Sequence, residues 1–229
     1  MEDKYDDIVK WLQGIMSDFL QNRILEINGT LIQPFEIEAY YYKERVFEDE
    51  YVHCNEMQKA WNTGHFYVHR KGRNRQDAYT GGNRCCLDYV VGDGEAYFSF
   101  LLRSALVEHN DHSFLAIKPN ILLSTILTEA NLTKNDLENS KINVITKHND
   151  DQVFFSTRVG LSGDSKFTNA LLRAVRNGQN LKQKRYPNKE KIAFDYYRQL
   201  RNTLNIDIAK DEIRRIFGSL SPLINSYDD

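Results

Sequence analysis

Cysteine is scarce. The chain has three in 229 residues, an odd count and too few for a disulfide framework, so a reducing, intracellular and cytoplasmic setting is expected. There are only four prolines and 12 glycines, which excludes collagen-like and low-complexity classes. No uninterrupted apolar run approaches the ~20 residues that a membrane helix needs. The acidic stretch from Met1 to Asp7 leads into no apolar segment, so no signal peptide and no membrane association are expected. Charge of one sign is also lacking. Thirty Lys and Arg against 32 Asp and Glu leave a net charge of −2, which by itself neither favours nor excludes nucleic acid. There is no glycine-rich phosphate loop and no Gly-x-Ser-x-Gly elbow, so nucleotide-phosphate and serine-hydrolase classes have no support. His53, His65, His69, Cys54, Cys85 and Cys86 show no Cys-x2-Cys spacing, and adjacent cysteines on a strand point apart, so no metal is expected.

What is present reads as an ordinary globular chain with 41% hydrophobic and 27% charged residues. Ile8, Trp11, Leu12, Ile15, Met16, Phe19 and Leu20 recur at helical spacing within 5–23. Asn28-Gly29 follows as a hairpin turn. Residues 34–42 alternate: Phe35, Ile37, Ala39 and Tyr41 face one way, while Glu36, Glu38, Tyr40 and Tyr42 face the other. Further strands are expected at 64–70, 85–91 and 96–103, with a long exposed loop over 71–84 and a turn at Gly92-Asp93-Gly94. Residues 120–139 read as helix, broken near 131–133. Strands follow at 142–147 and 152–160, a helix over 165–177 with Gly178 closing it, a strand near 191–198 and a last helix near 207–217. The pattern predicts one α+β domain spanning 1–229, built on a large, mostly antiparallel, curved sheet flanked by helices.

Charge is distributed unevenly. Arg70 to Arg84 contains five basic residues and one acid; Lys166 to Arg201 contains ten basic residues and two acids. These clusters, and in particular Arg70, Lys71, Arg73, Arg75, Arg84, Lys182, Lys184 and Arg185, are expected to contact a phosphate backbone. The face carrying Glu38 and Tyr40 is rich in Tyr and Glu. Together with nearby histidines it suggests a binding platform for a flat ligand.

Several of these segments resemble, in order, the alkyladenine (3-methylpurine) DNA glycosylase family. Glu36-Ile37-Glu38-Ala39-Tyr40 is similar to its Glu-Ala-Tyr strand, and Phe47-Glu48-Asp49-Glu50-Tyr51-Val52-His53 to the acidic stretch ending in His. Gly64-His65-Phe66-Tyr67-Val68-His69 resembles its Gly-x-Leu-Tyr-Val-Tyr strand, Leu87-Asp88 its Met-Asn, and Phe100-Leu101-Leu102-Arg103 its Val-Leu-Leu-Arg. Thr157-Arg158-Val159-Gly160-Leu161 resembles an Arg-Val-Gly element, and 192–197 its closing strand. The resemblance implies a methylpurine-DNA-glycosylase-like fold and a monofunctional enzyme that flips a modified base into an aromatic pocket and hydrolyses the N-glycosidic bond. It places Tyr40, His53, His69 and Asp88 around the base, with Glu38 as the base that activates water and Arg103 beside it. It implies no cofactor, and a monomer acting on damaged DNA, duplex being the expected form. Here His69 stands where the family has Tyr, and Asp88 where it has Asn. The family's wedge Tyr falls near Gly72. The alternative is a non-catalytic protein that binds nucleic acid or a small planar ligand in the same cup.

Overall fold

The computed structural model describes residues 2–59, 64–92, 95–178, 180–181, 183 and 185–228. The N-terminal half comprises α1 (Glu2–Asn22), β1 (Arg23–Ile27), β2 (Thr30–Lys43), β3 (Phe47–Glu48), β4 (Phe66–Val68), β5 (Leu87–Val90) and β6 (Tyr97–His109). There follow β7 (His112–Ala116), α2 (Pro119–Glu129), α3 (Lys134–Asn139), β8 (Asn143–Thr146), β9 (Val153–Ser156), α4 (Lys166–Asn169), β10 (Arg173–Arg176), α5 (Lys189–Leu200), α6 (Ile206–Phe217) and α7 (Pro222–Asp228). Among the described residues the strands join in one large, curved antiparallel sheet flanked by helices, an α+β architecture. The Gly92-Asp93-Gly94 turn lies partly outside the described residues.

β2 is the hub. One edge runs antiparallel to β6 from Leu31 to Tyr42. The other edge is shared in turn by β1, β10 and β3. Pro34 cannot donate to a ladder, and the register shifts between Pro34 and Ile37, a bulge of the kind that re-aims side chains. Beyond it the alternation is regular. Ile37, Ala39 and Tyr41 enter the main core with Phe98, Phe100 and Leu102 of β6 and with Leu12, Met16, Phe19 and Leu20 of α1. That leaves Glu36, Glu38 and Tyr40 on the opposite face. A second core joins Phe154 and Val175 of the sheet to Ile192, Ala193 and Tyr197 of α5 and to Ala209, Ile213 and Phe217 of α6.

Two expectations are corrected. The helix anticipated over 165–177 is a single turn, α4, followed by strand β10, which pairs with β2 and β9. The apolar spacing there also fits a strand buried on both faces, and the Glu36 carboxylate that binds Arg173 lies on β2. The strand anticipated near 191–198 is helix α5. Its buried positions Ile192, Ala193 and Tyr197 follow helical spacing, and Asp195 on the same helix accepts from Ser156 Oγ (2.6 Å) and Thr157 N (3.1 Å) at the end of β9.

Candidate functional site

Register sets the site. Tyr67 of β4 lies opposite Asp88 of β5, Asp88 opposite Leu101 of β6, Leu101 opposite Glu38 of β2, and Glu38 opposite Arg173 of β10. Directly opposed residues share a face, so these five strands present one continuous row away from the main core. The neighbouring positions Tyr40, Ser99 and Arg103 extend it. Above the row is a cavity of ≈ 710 Å³, within the size range of small-molecule sites. Tyr40, His53, His69, Asp88 and Arg103 all form its wall, as do Tyr51, Gln58, Cys86 and the 159–161 segment.

Glu38 is fully buried and is not itself part of the open wall; it lies behind three groups that are. Oε1 accepts from Val159 N (2.8 Å) and faces Arg103 Nη1 (3.3 Å); Oε2 accepts from Tyr40 OH (3.1 Å). A carboxylate has about four acceptor sites, so one remains on Oε2. Gly160 makes the Val159 contact feasible. Its φ of +80° is the left-handed region that glycine adopts at little cost, and a Cβ there would meet nothing within 4 Å, so conformation alone sets the requirement. Burial and the adjacent Glu38 carboxylate push the Tyr40 hydroxyl well above its ordinary range, which keeps it a donor. The Arg158 guanidinium lies 4.7 Å from the Tyr40 ring and is clamped by both oxygens of Asp49, at 2.6 and 3.1 Å.

Arg103 joins two carboxylates. Nε donates to Glu36 Oε1 (2.8 Å) while Nη1 faces Glu38. Glu36 also accepts from Arg173 Nε (2.7 Å) and from the Tyr186 hydroxyl. Burial opposes charge on Glu36, but Arg173 and Arg103 prevail and hold its carboxyl below the usual range. Burial likewise disfavours charge on Arg103, yet Glu38 and Glu36 raise it, so it stays a cation.

The other end of the row is built on Asp88. Oδ1 meets His69 Nε2 at 2.6 Å, and Oδ2 accepts from Ser99 Oγ (2.7 Å) and Gln58 Nε2 (3.1 Å). Burial opposes its ionisation, but His69 first, and then the Ser99 hydrogen bond, hold it below the ordinary carboxylate range. The His69 ring stacks on Tyr67 (centroids 5.4 Å, 29°) and meets the exposed His53 ring at 4.8 Å. Desolvation where it meets the pocket wall, then His69, lowers the affinity of His53 for a proton.

The phosphate contacts need correction. Arg70 is buried: its guanidinium pairs with Glu138 and donates to Tyr79 OH (3.1 Å) and Asp77 O (2.9 Å), so it braces the loop, although a small part of the residue reaches the cavity wall. In the second basic cluster Arg173 and Arg176 are core residues, and Lys191 pairs with Asp195 at 2.6 Å. Buried carboxylates and carbonyls, not phosphates, account for much of that positive charge. Lys71, Arg73, Arg75, Arg84 and Arg185 are exposed, and Lys71 and Arg84 line the cavity. Lys182 and Lys184 lie outside the described residues.

No family model and no curated protein matches this chain.

Sequence reasoning did not assign Glu36, which anchors Arg103, Arg173 and Tyr186, which hold Glu36, nor Gln58 and Ser99, which hold Asp88. Strand alternation already placed Glu36 beside Glu38. The partners come from 30 to 150 residues away or from a neighbouring strand, and no local pattern marks them.

Proposed function

We propose that the chain has a methylpurine-DNA-glycosylase-like fold and excises a modified base from damaged DNA. The observation that carries this reading is the cavity whose wall contains Tyr40, His53, His69, Asp88 and Arg103, with Glu38 bonded to two members of that wall. Flat side chains and a charged reader suit a flipped base. A carboxylate with one free acceptor site suits a water molecule. Glu38 takes a proton from water as the C1′–O bond forms, and the C1′–N bond breaks with its electron pair leaving on the base. Arg103, oriented by Glu36, holds the Glu38 carboxylate in place.

The test is single-turnover excision on oligonucleotides carrying alkylated, deaminated or etheno bases, read as alkali-labile abasic sites. Excision of at least one lesion supports the reading; no excision of any lesion overturns it.

DNA binding should depend on salt through the exposed cations only. Each of Lys71, Arg73, Arg75 and Arg84 that meets a phosphate should contribute about 0.9 to the slope of log affinity against log salt. Arg84→Ala should flatten the slope without changing stability. Arg70→Ala should lower stability by about 3 kcal/mol or more, because it leaves the buried Glu138 carboxylate without its cation, held only by Val68 N and Tyr79 OH. Equal slopes for wild type and the fourfold Ala variant would show that the loop does not touch DNA.

One observation favours a second reading, in which the cup binds a planar ligand without hydrolysing it. Glu38 has no exposed surface and already holds three donors. Under that reading lesion-containing DNA or a free base binds, and no abasic product accumulates.

A further inference from the structure

Helices cover two margins of the sheet. At β4 the Val68 amide donates to Glu138 Oε1 of α3 (2.9 Å), and at β9 the Phe155 carbonyl accepts from Gln199 Nε2 of α5 (2.9 Å). β8 has no such cover. It ends the path of the sheet beyond β1, and all four of its residues are exposed, Val144 by 42% and Ile145 by 39%. The strand contains no proline, no bulge and no charged residue, which are devices that keep an edge from pairing.

The ladder to β1 shows which backbone groups are free. Lys147 N donates to Asn22 O (3.0 Å), one step beyond the pair Arg23–Thr146. Bonded and non-bonded pairs alternate in an antiparallel ladder, so Asn143 and Ile145 also turn N–H and C=O toward β1, while Val144 and Thr146 turn theirs outward. Among the described residues no bond is made to those outward groups. An antiparallel copy must set outward residues against outward ones. A two-fold axis at Val144 would oppose Lys147 to Lys141 of the other copy, and an axis at Thr146 would oppose Ile145 to Lys147. An axis at Ile145 opposes Ile145 to its own copy. Leu25 and Ile142 face the main core, so Ile24 and Ile145 lie on the opposite side, and the two copies together form one row of four isoleucines there. The same axis sets Lys147 opposite Asn143, whose Nδ2 bonds Glu26 Oε2 (3.1 Å). Lys147 of each copy thus faces Glu26 of the other across two strand spacings, about 10 Å between Cα atoms, which the two long side chains span. Within one chain the ladder keeps Glu26 and Lys147 four positions apart.

We propose that the protein forms a two-fold homodimer in which β8 of one copy adds to β8 of the second, with Ile145 on the axis. The occupant of the open edge is a second copy because the edge complements itself: outward groups meet outward groups, isoleucine meets isoleucine, and lysine meets glutamate. Val144 and Thr146 exchange four backbone hydrogen bonds across the axis, and the sheet runs from one copy into the other. The interface is isologous, so each contact occurs twice. The proposal is independent of the glycosylase reading, and it replaces the monomer that the family resemblance implied.

Sedimentation equilibrium of the full chain, from about 1 μM to 1 mM, should show a reversible monomer–dimer equilibrium. Amide hydrogen exchange read by NMR should slow at Val144 and Thr146 as concentration rises, while Ile145, already bonded to β1, exchanges slowly throughout. Val144→Pro should weaken dimerisation about tenfold or more, since it removes an N–H that only the second copy uses, at an edge position where proline is tolerated. Lys147→Glu and Glu26→Lys should each weaken it about threefold or more, and the double variant should recover most of that loss. Urea denaturation checks that every variant is folded, and the charge swap decides the matter if Val144→Pro is not. A protein that stays monomeric over the whole range overturns the proposal and leaves β8 to a strand of a different protein. A dimer that Val144→Pro leaves unchanged, a double charge variant no better than the single ones, or exchange at Val144 that ignores concentration would overturn it as well.

Discussion

Glu38→Gln should lower single-turnover excision by about 10² to 10⁴-fold, the usual contribution of a positioned general base. The amide is close in shape to the carboxylate. Its oxygen still accepts from Val159 N, so the 159–161 segment keeps its place. The amide cannot take a proton from water, and its NH2 group faces the Tyr40 hydroxyl that donated to Oε2 and must turn to accept instead. Binding of the same oligonucleotide should change far less than the rate, because Tyr40, His53 and His69 still form the wall. Loss in kcat with little change in Kd is the signature of an interaction made in the transition state. A rate within a factor of a few of wild type would remove Glu38 from the chemistry and favour the non-hydrolytic reading.

The largest effect on stability should come from Glu36→Gln. Glu36 is the carboxylate between Arg103 and Arg173, and Arg173 has no exposed surface. Without the charge, Arg173 becomes a buried cation whose remaining described contact is Pro187 O at 3.5 Å. Breaking a buried pair in this way costs about 3–5 kcal/mol, a large share of the roughly 5–15 kcal/mol that holds a domain folded. Urea denaturation should show a lower midpoint with an unchanged slope. Adding Arg173→Met should recover part of the loss, since the two side chains are coupled. Additive losses in the double variant would show that Arg173 does not depend on Glu36. The pH dependence has a definite sign. The folded-state affinity of Glu36 for a proton lies below that set by its ordinary value of 4.5. Its contribution is therefore complete above that value and is lost as pH falls through the depressed one. Asp88, also held low, adds to the same acid-side loss.

Much of this arrangement could be read from local patterns, and some could not. Helix α1 and the two faces of β2 follow from spacing alone, because each has one side in the core. The long helical stretch at 119–139 and its break were legible for the same reason. β10 and α5 were not. Arg173-Ala174-Val175-Arg176 is buried on both faces, so it carries no alternation, and its arginines meet partners supplied by β2 and by α1 with β2's Gln33. The aromatic run 194–197 resembles a strand until α6 is present to receive one side of it. Within the site, the types of Glu38, Tyr40, His69 and Asp88 drew notice, but which groups touch depends on register, and register is set by strands up to 137 residues apart. Positive charge was the most misleading signal, since composition cannot distinguish a solvated arginine from one buried against a carboxylate.

The position of β10 has a consequence for how the protein is made. β2 is synthesised before β6 and β10, when α1 and β1 are the elements described here that can already pack against it. β6 follows about 60 residues later, and Arg173 is 137 residues behind Glu36. At about 5–20 residues per second the nascent chain carries this unfinished centre for roughly 7 to 30 seconds. During that interval the two carboxylates remain in water, where their charge costs little.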